Sequence, residues 1–226
     1  MSEPLADPHS FHDGVSYPTT QGDFTKALDR CAKACEEFNQ LGATATSAQR
    51  SDAWRRIVCH NVEGDGTPYI KSPITMEYEL RVYIAPGTFI NHNCTILDTP
   101  VADIRIGTKC TIGPHVSIYG VSHSLNPDET GRRAIFGKPV TIGDAVWIGG
   151  RAIILAGVQI GSRSTIAAGS VVRSDIPSDC IAAGVPAKVI RFIRPDETHD
   201  ALYAGSLEEA LEIRFTHDAD RVAHIR

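Results

Sequence analysis

The sequence predicts a mainly β fold, a parallel β-helix assembled from hexapeptides, and three observations carry that prediction. From Val140 the chain reads VTIGDAVWIGGRAIILAGVQIGSRSTIAAGSVVRSDIP in one unbroken phase, with Ile142, Ile148, Ile154, Ile160, Ile166 and Val172 at every sixth residue. The same beat occurs upstream in two shorter blocks, Ile84, Ile90, Ile96 and then Ile106, Ile112, Ile118, so that eleven of these twelve positions are Ile. A period of six matches neither the 3.6 residues of an amphipathic helix nor the heptad of a coiled coil, which makes the repeat itself the structural unit.

In such a unit each hexad supplies one short strand and a turn, three hexads close a triangular coil, and each coil stacks on the one below. The aliphatic of the first position points inward. Four residues later a smaller inward residue is expected: Thr88, Cys94, Cys110, Val116, Ser122, Val146, Ala152, Val158, Ser164 and Ser170. Burying one Ile contributes about 1.5–3 kcal/mol, so a column of them outweighs local propensity. Gly at the second position (Gly107, Gly113, Gly143, Gly149, Gly161) is read as supplying the backbone angles of the corner.

With 226 residues and 24.4 kDa the chain suffices for one elongated domain with helical attachments. A net charge of −5 and a pI near 6.0 give no reason to expect nucleic acid or an anionic membrane as partner. No apolar run reaches 18 residues, and the N-terminus lacks the basic and apolar regions of a signal peptide, so a cytoplasmic location is the expectation. Of six cysteines, Cys94 and Cys110 fall on small inward positions and Cys31 and Cys35 lie one helical turn apart; with no zinc-type pair, reduced structural thiols are expected and no metal.

In chain order, residues 1–22 are rich in Pro, Ser, Thr, Gly and His and read as a loosely ordered leader. Residues 23–65 read as a helical segment. Phe24, Ala27, Leu28, Cys31, Ala34, Cys35 and Phe38 keep helical spacing up to a stop between Asn39 and Gly42, and a second helix is expected from Ser47, an N-cap candidate, through Ala53, Trp54, Ile57 and Val58. These helices are expected to cap the open end of the prism. The hexapeptide domain is placed at 66–193, and 194–226 forms a tail whose SLEEALEIRF segment reads as an amphipathic helix.

The phase breaks twice. Four extra residues intervene between Ile96 and Ile106, and residues 120–139 carry the polar, Gly-containing GVSHSLNPDETGRRAIFGKP, a loop thrown from one corner. A solenoid gains nothing structurally from such an excursion, whereas loops on rigid scaffolds commonly carry the site. His123 stands at its base. Trp147, immediately before inward Ile148, points outward, either along a ligand or against a neighbouring subunit.

INHNCTILD at 90–98, SHSLNP at 122–127, GKPVTIGDAVWIGGRAIILAGVQIG at 137–161 and DIPSDCIAAGVPAKVIR at 175–191 resemble the hexapeptide-repeat O-acetyltransferases of the maltose and galactoside acetyltransferase family, which includes the nodulation acetyltransferases. FTKALDRCAKACEEFN at 24–39 is similar to that family's N-terminal segment more loosely. The resemblance implies a left-handed β-helix, a homotrimer with sites between subunits, and direct acetyl transfer from acetyl-CoA, as co-substrate, to a hydroxyl of a sugar or other small molecule. It assigns His123 as general base, a task imidazole suits near neutral pH, and Asn91 as the site amide. It also implies coenzyme contacts at Trp147, Gly149, Gly150, Ala168, Arg173, Lys188 and Arg191, the cations for the phosphates. A backbone N–H near Gly149 or Gly150 is the expected oxyanion donor.

On the acceptor side Glu77, Tyr78 and Asp98 match the family, but Glu79 replaces the Gly that usually follows, and Thr99 stands where a second carboxylate does. Fewer carboxylates mean fewer partners for sugar hydroxyls. Two other readings compete: a zinc hydratase of the γ-carbonic-anhydrase type on the same prism, for which His92, His115 and His123 fall at hexad positions expected not to converge, and a non-catalytic scaffold, which leaves His123 and Trp147 without a shared purpose.

Overall fold

The computed structural model describes residues 14–19, 22–42, 44–58 and 67–194; the expected C-terminal helix and the rest of the leader lie outside these residues. The chain opens with a two-residue strand β1 (Val15–Ser16) and two helices, α1 (Gly22–Asn39) and α2 (Ser47–Ile57). Strand β1 replaces loose order within the leader, because it pairs with a strand more than a hundred residues later. The N-cap of α2 is Thr46, not Ser47: its hydroxyl accepts from Gln49 N–H while the Gln49 side chain accepts from the Thr46 N–H, a closed capping box.

From Tyr69 the chain winds. The first coil is β2 (Tyr69–Ile70), β3 (Ile74–Met76) and β4 (Val82–Ile84), and the second β5 (Phe89–Ile90), β6 (Cys94–Leu97) and β7 (Ile104–Ile106). The third begins with β8 (Thr111–Ile112) and β9 (Ser117–Tyr119), leaves the prism through a hairpin, β10 (Val121–His123) and β11 (Ile135–Gly137), and closes with β12 (Val140–Ile142). Next come β13 (Trp147–Ile148), β14 (Ile153–Ile154), β15 (Gln159–Ile160), β16 (Thr165–Ile166) and β17 (Val171–Val172), then a C-terminal hairpin, β18 (Cys180–Gly184) and β19 (Ala187–Phe192).

Apart from the β10–β11 hairpin, strands β2 to β17 visit three sheets in strict rotation, with orders β19-β18-β16-β13-β8-β5-β2, β17-β14-β9-β6-β3 and β15-β12-β7-β4. Every rung between coils is parallel and in register, for example Ile90 with Ile112 and Ile148 with Ile166. Each face thus stacks one column of aliphatics, and all twelve expected positions are buried. The second column is buried as well, except at Ser122. That residue lies in the hairpin opposite Phe136, because the chain has already left the prism although the count of six runs through it. The inward thiols are used rather than idle: Cys94 and Cys110 donate to the carbonyls of Gly113 and Gly143 on the next coil, at 3.3 and 3.0 Å.

The glycines of the second position do something other than expected. None of Gly107, Gly113, Gly143, Gly149 and Gly161 has positive φ. Their role is clearance: a Cβ on Gly149 would come within 2.5 Å of the Ala168 amide nitrogen, and one on Gly113 within 2.5 Å of that of Gly150. The left-handed residue stands two places later, at Gly87, Asn93, Lys109, His115, Ala145, Arg151, Gly157, Arg163 and Gly169. Most are not Gly, and the conformational cost is offset by a hydrogen bond to the coil below, such as Ala145 N–H to Thr108 C=O at 2.8 Å. The same geometry corrects the directions expected for two histidines, since the His92 and His115 rings meet edge to face at 5.7 Å on adjacent coils.

Helix α1 lies across the first coil, burying Cys31, Ala34, Cys35 and Phe38 in one core with Ile70, Ile74 and Met76. Asn39 at its end treats the outermost strand as a neighbouring strand would. Its Oδ1 accepts from Ile74 N–H and its Nδ2 donates to Ile74 C=O, both at 2.8 Å.

Candidate active site

The site is built on the corner where the chain leaves the five-stranded face. Three excursions emerge there from consecutive coils: Glu77–Glu79 after β3, Asp98–Thr99 after β6, and the β10–β11 hairpin after β9. The hairpin and β1 form an antiparallel sheet in the order β1-β11-β10. His123 is directly opposite Ile135, and Tyr17, whose N–H donates to Ile135 C=O, extends the same row. Opposed residues of antiparallel strands share a face. The exposed imidazole of His123 therefore stands beside Ile135, on the face where Tyr17 is buried.

Tyr17 continues into an aromatic cluster, edge to face with Phe24 and with Tyr78, each at 6.2 Å. Asp98 underlies the cluster with no exposed surface, and its Oδ1 accepts from Glu77 N–H at 3.0 Å and Tyr78 N–H at 3.1 Å. Burial raises the Asp98 pKa against these backbone donors, which pull it down. Glu77 is half-buried, and burial together with the nearby Asp98 raises its carboxyl as well. Burial, then the neighbouring Tyr78 and Glu77, pushes the Tyr17 hydroxyl well above the usual phenol range.

Of the three acceptor-side candidates Glu77 reaches the surface, whereas Asp98 and Tyr78 are buried in this chain, Asp98 holding the turn through the Glu77 and Tyr78 amides and Tyr78 packing in the aromatic cluster. Sequence reasoning missed Tyr17, because a two-residue strand carries no period. Its only signal was an aromatic preceding Pro in a polar stretch. A cleft of about 630 Å³ opens beside it, lined among others by Ser16, Asn126, Arg132 and Ile135. The hairpin tip is held by its own polar groups: Asp128 accepts from the Thr130 and Arg132 N–H groups, and Arg133 donates to the Ser124 and Leu125 carbonyls.

The residues expected to meet the coenzyme lie elsewhere. Trp147, 49% exposed, shares the outer face of the seven-stranded sheet with Thr165, Ile181 and Arg191, which follow it on successive strands. Three strand spacings put Trp147 and Arg191 roughly 14 Å apart. Gly149, Gly150 and Ala168 turn the corner between this face and the five-stranded one, and Asn91 turns the same corner two coils earlier. Arg173 follows β17, on the corner that carries the hairpin, and Lys188 is exposed on β19. One chain therefore groups His123 with Glu77 on one corner, and Asn91 with Gly149, Gly150 and Ala168 on another. Among the described residues no group of three His, Cys, Asp or Glu converges as metal ligands.

Residues 139–174 match the family model described as bacterial transferase hexapeptide (six repeats). The chain is 39% identical to the galactoside O-acetyltransferase of Lactococcus lactis over 72% of its own length and 76% of that protein. Among solved structures, a maltose O-acetyltransferase from Clostridium difficile superposes with a TM-score of 0.72 at 33% identity, covering 80% of this chain and 94% of that one. A hexapeptide-repeat acetyltransferase from Vibrio cholerae, solved in complex with acetyl-CoA, superposes with a TM-score of 0.67 at 31% identity over the same shares, 80% and 94%. The rotation through three parallel sheets, the imidazole at the hairpin base and these similarities agree: the chain belongs to the hexapeptide-repeat acetyltransferases.

Proposed function

We propose that this acetyltransferase moves the acetyl group of acetyl-CoA directly to a hydroxyl of a sugar or another hydroxylated small molecule, with His123 as general base. The observation that carries the reading is the row Tyr17, Ile135, His123, which sets an exposed imidazole over the corner that presents Glu77. His123 takes the hydroxyl proton as the acceptor oxygen attacks the thioester carbonyl carbon. When the tetrahedral intermediate collapses, the C–S bond breaks and the proton passes to the departing thiolate. The oxyanion needs a donor. Gly149 spends its N–H on Ile166 C=O at 2.8 Å, which leaves Gly150 as the amide for that task. Trp147 flanks the pantetheine arm, and Arg173, Lys188 and Arg191 serve the phosphates.

Asn91 and His123 stand on different corners of one prism, which favours a homotrimer in which the hairpin corner of one subunit faces the Asn91 corner of the next. Family membership and the six-beat repeat support a left-handed winding. In this reading residues 66–193 form the catalytic prism, 23–65 its cap, and 194–226 a tail, while part of the leader, 1–22, joins the site through β1.

Release of free thiol from acetyl-CoA, followed against a panel of galactosides, maltose, other sugars, amines and non-sugar alcohols, tests the function: saturable, acceptor-dependent release is expected, and none with any hydroxyl compound refutes it. Co-expressing His123→Ala with Asn91→Ala tests the assembly. Random mixing around a three-fold axis leaves about a quarter of the interfaces with both groups intact, so about a quarter of wild-type turnover should return. Sites contained within one subunit would restore none.

A further inference from the structure

We propose that Glu79, through its ion pair with Arg30 of α1, positions the turn that presents Glu77 to the acceptor. The inference rests on the acetyltransfer reading above.

Glu79 adopts φ +62°, a left-handed conformation that an L side chain holds only under constraint. A glycine would satisfy the turn without strain, and the left-handed non-glycine residues of the coil corners from Asn93 to Arg163 are exposed, whereas this one is enclosed. Its side chain is almost wholly enclosed, with the residue 2% exposed, and a buried carboxylate persists only with a partner. Arg30, from the middle of α1 and 49 residues earlier, donates its Nε–H to Glu79 Oε1. The turn is thus gripped twice. Asp98 holds it from beneath through the Glu77 and Tyr78 amides, and α1 holds it from the side.

The two grips depend on each other. Without Arg30, Glu79 would lose the ion pair that balances its buried charge, and the turn would relax outward, carrying Glu77 with it. Glu79 touches no reacting atom; it is a positioning residue, and it ties acceptor geometry to the helix that caps the prism.

The test compares Glu79→Gln, Glu79→Gly, Arg30→Ala and Arg30→Lys in the full chain. Thiol release is followed at saturating acetyl-CoA with a galactoside or maltose varied, and amide exchange is followed over residues 76–80. Loss of the clamp should raise the acceptor KM about tenfold or more, with kcat and the acetyl-CoA KM within about threefold. Exchange at Glu77 and Tyr78 should accelerate, and Arg30→Lys, which keeps the charge, should recover most of both effects. Glu79→Gly is decisive against a merely structural role: it relieves the left-handed strain, so it should melt no earlier than wild type yet still show the raised acceptor KM. Wild-type acceptor KM and wild-type exchange in both Glu79→Gly and Arg30→Ala overturn the proposal. If the wild type acetylates no acceptor, the functional reading falls alone, and the exchange measurement still decides the clamp.

Discussion

His123→Ala is expected to lower kcat by about 10²–10⁴, the range for removing a general base, with the KM for acetyl-CoA unchanged. The side chain is exposed, and β10 and β11 are held to each other by their backbones. The melting temperature should therefore stay within a degree or two of wild type, in keeping with an exposed substitution. Single-turnover thiol release measures the chemical step directly. A variant that retains wild-type turnover would assign the proton transfer to another group, and Glu77, half-buried with a raised carboxyl pKa on the same corner, would be the next candidate.

The second large effect concerns the prism itself. Gly149→Ala is expected to destabilise the protein by about 2–3 kcal/mol or more, at the upper end of overpacking, because the added Cβ has no flexible side chain to displace. It would meet the Ala168 backbone at 2.5 Å, and parallel coils cannot separate locally without breaking rungs on both sides. Gly169→Ala is the control with the opposite defect: its φ is +70°, but nothing lies within 4 Å of the new carbon. It should cost only about 1 kcal/mol, the ordinary penalty for an L residue in that region. Denaturant unfolding of the two variants gives the order. A larger loss at Gly169 would show that conformation, not clearance, selects glycine here.

That contrast shows what could be read from the residues alone. The columns were legible because burial at a fixed interval leaves a periodic trace, and every aliphatic from Ile84 to Val172 that kept the beat is inside. The glycines were legible as a pattern but not as a cause, since a missing side chain looks the same whether an angle or a neighbour demands it. Ser122 was misplaced because it keeps the offset of four from Ile118, which a count cannot tell from an inward position, although the polar composition of residues 120–139 already marked a loop. The hairpin's partner β1 was invisible, because two residues carry no period and the paired residues Val15 and Gly137 lie far apart in the chain. At the site, the interruption of the repeat pointed to His123, and resemblance supplied Asn91 and Glu77. That these fall on different corners follows only from which strand precedes each one.

The amide that Asn39 sets against Ile74 has a consequence for the particle as a whole. A rod made of identical rungs has no intrinsic length, and a bare first rung would accept the last rung of another molecule as readily as its own. By satisfying both backbone groups of Ile74 with a side chain, the helix supplies a counterfeit rung that offers nothing further to copy. At that end the edge of the five-stranded sheet is thus closed at Ile74 by one carboxamide and the helix that carries it, which removes a template on which a further coil could be laid.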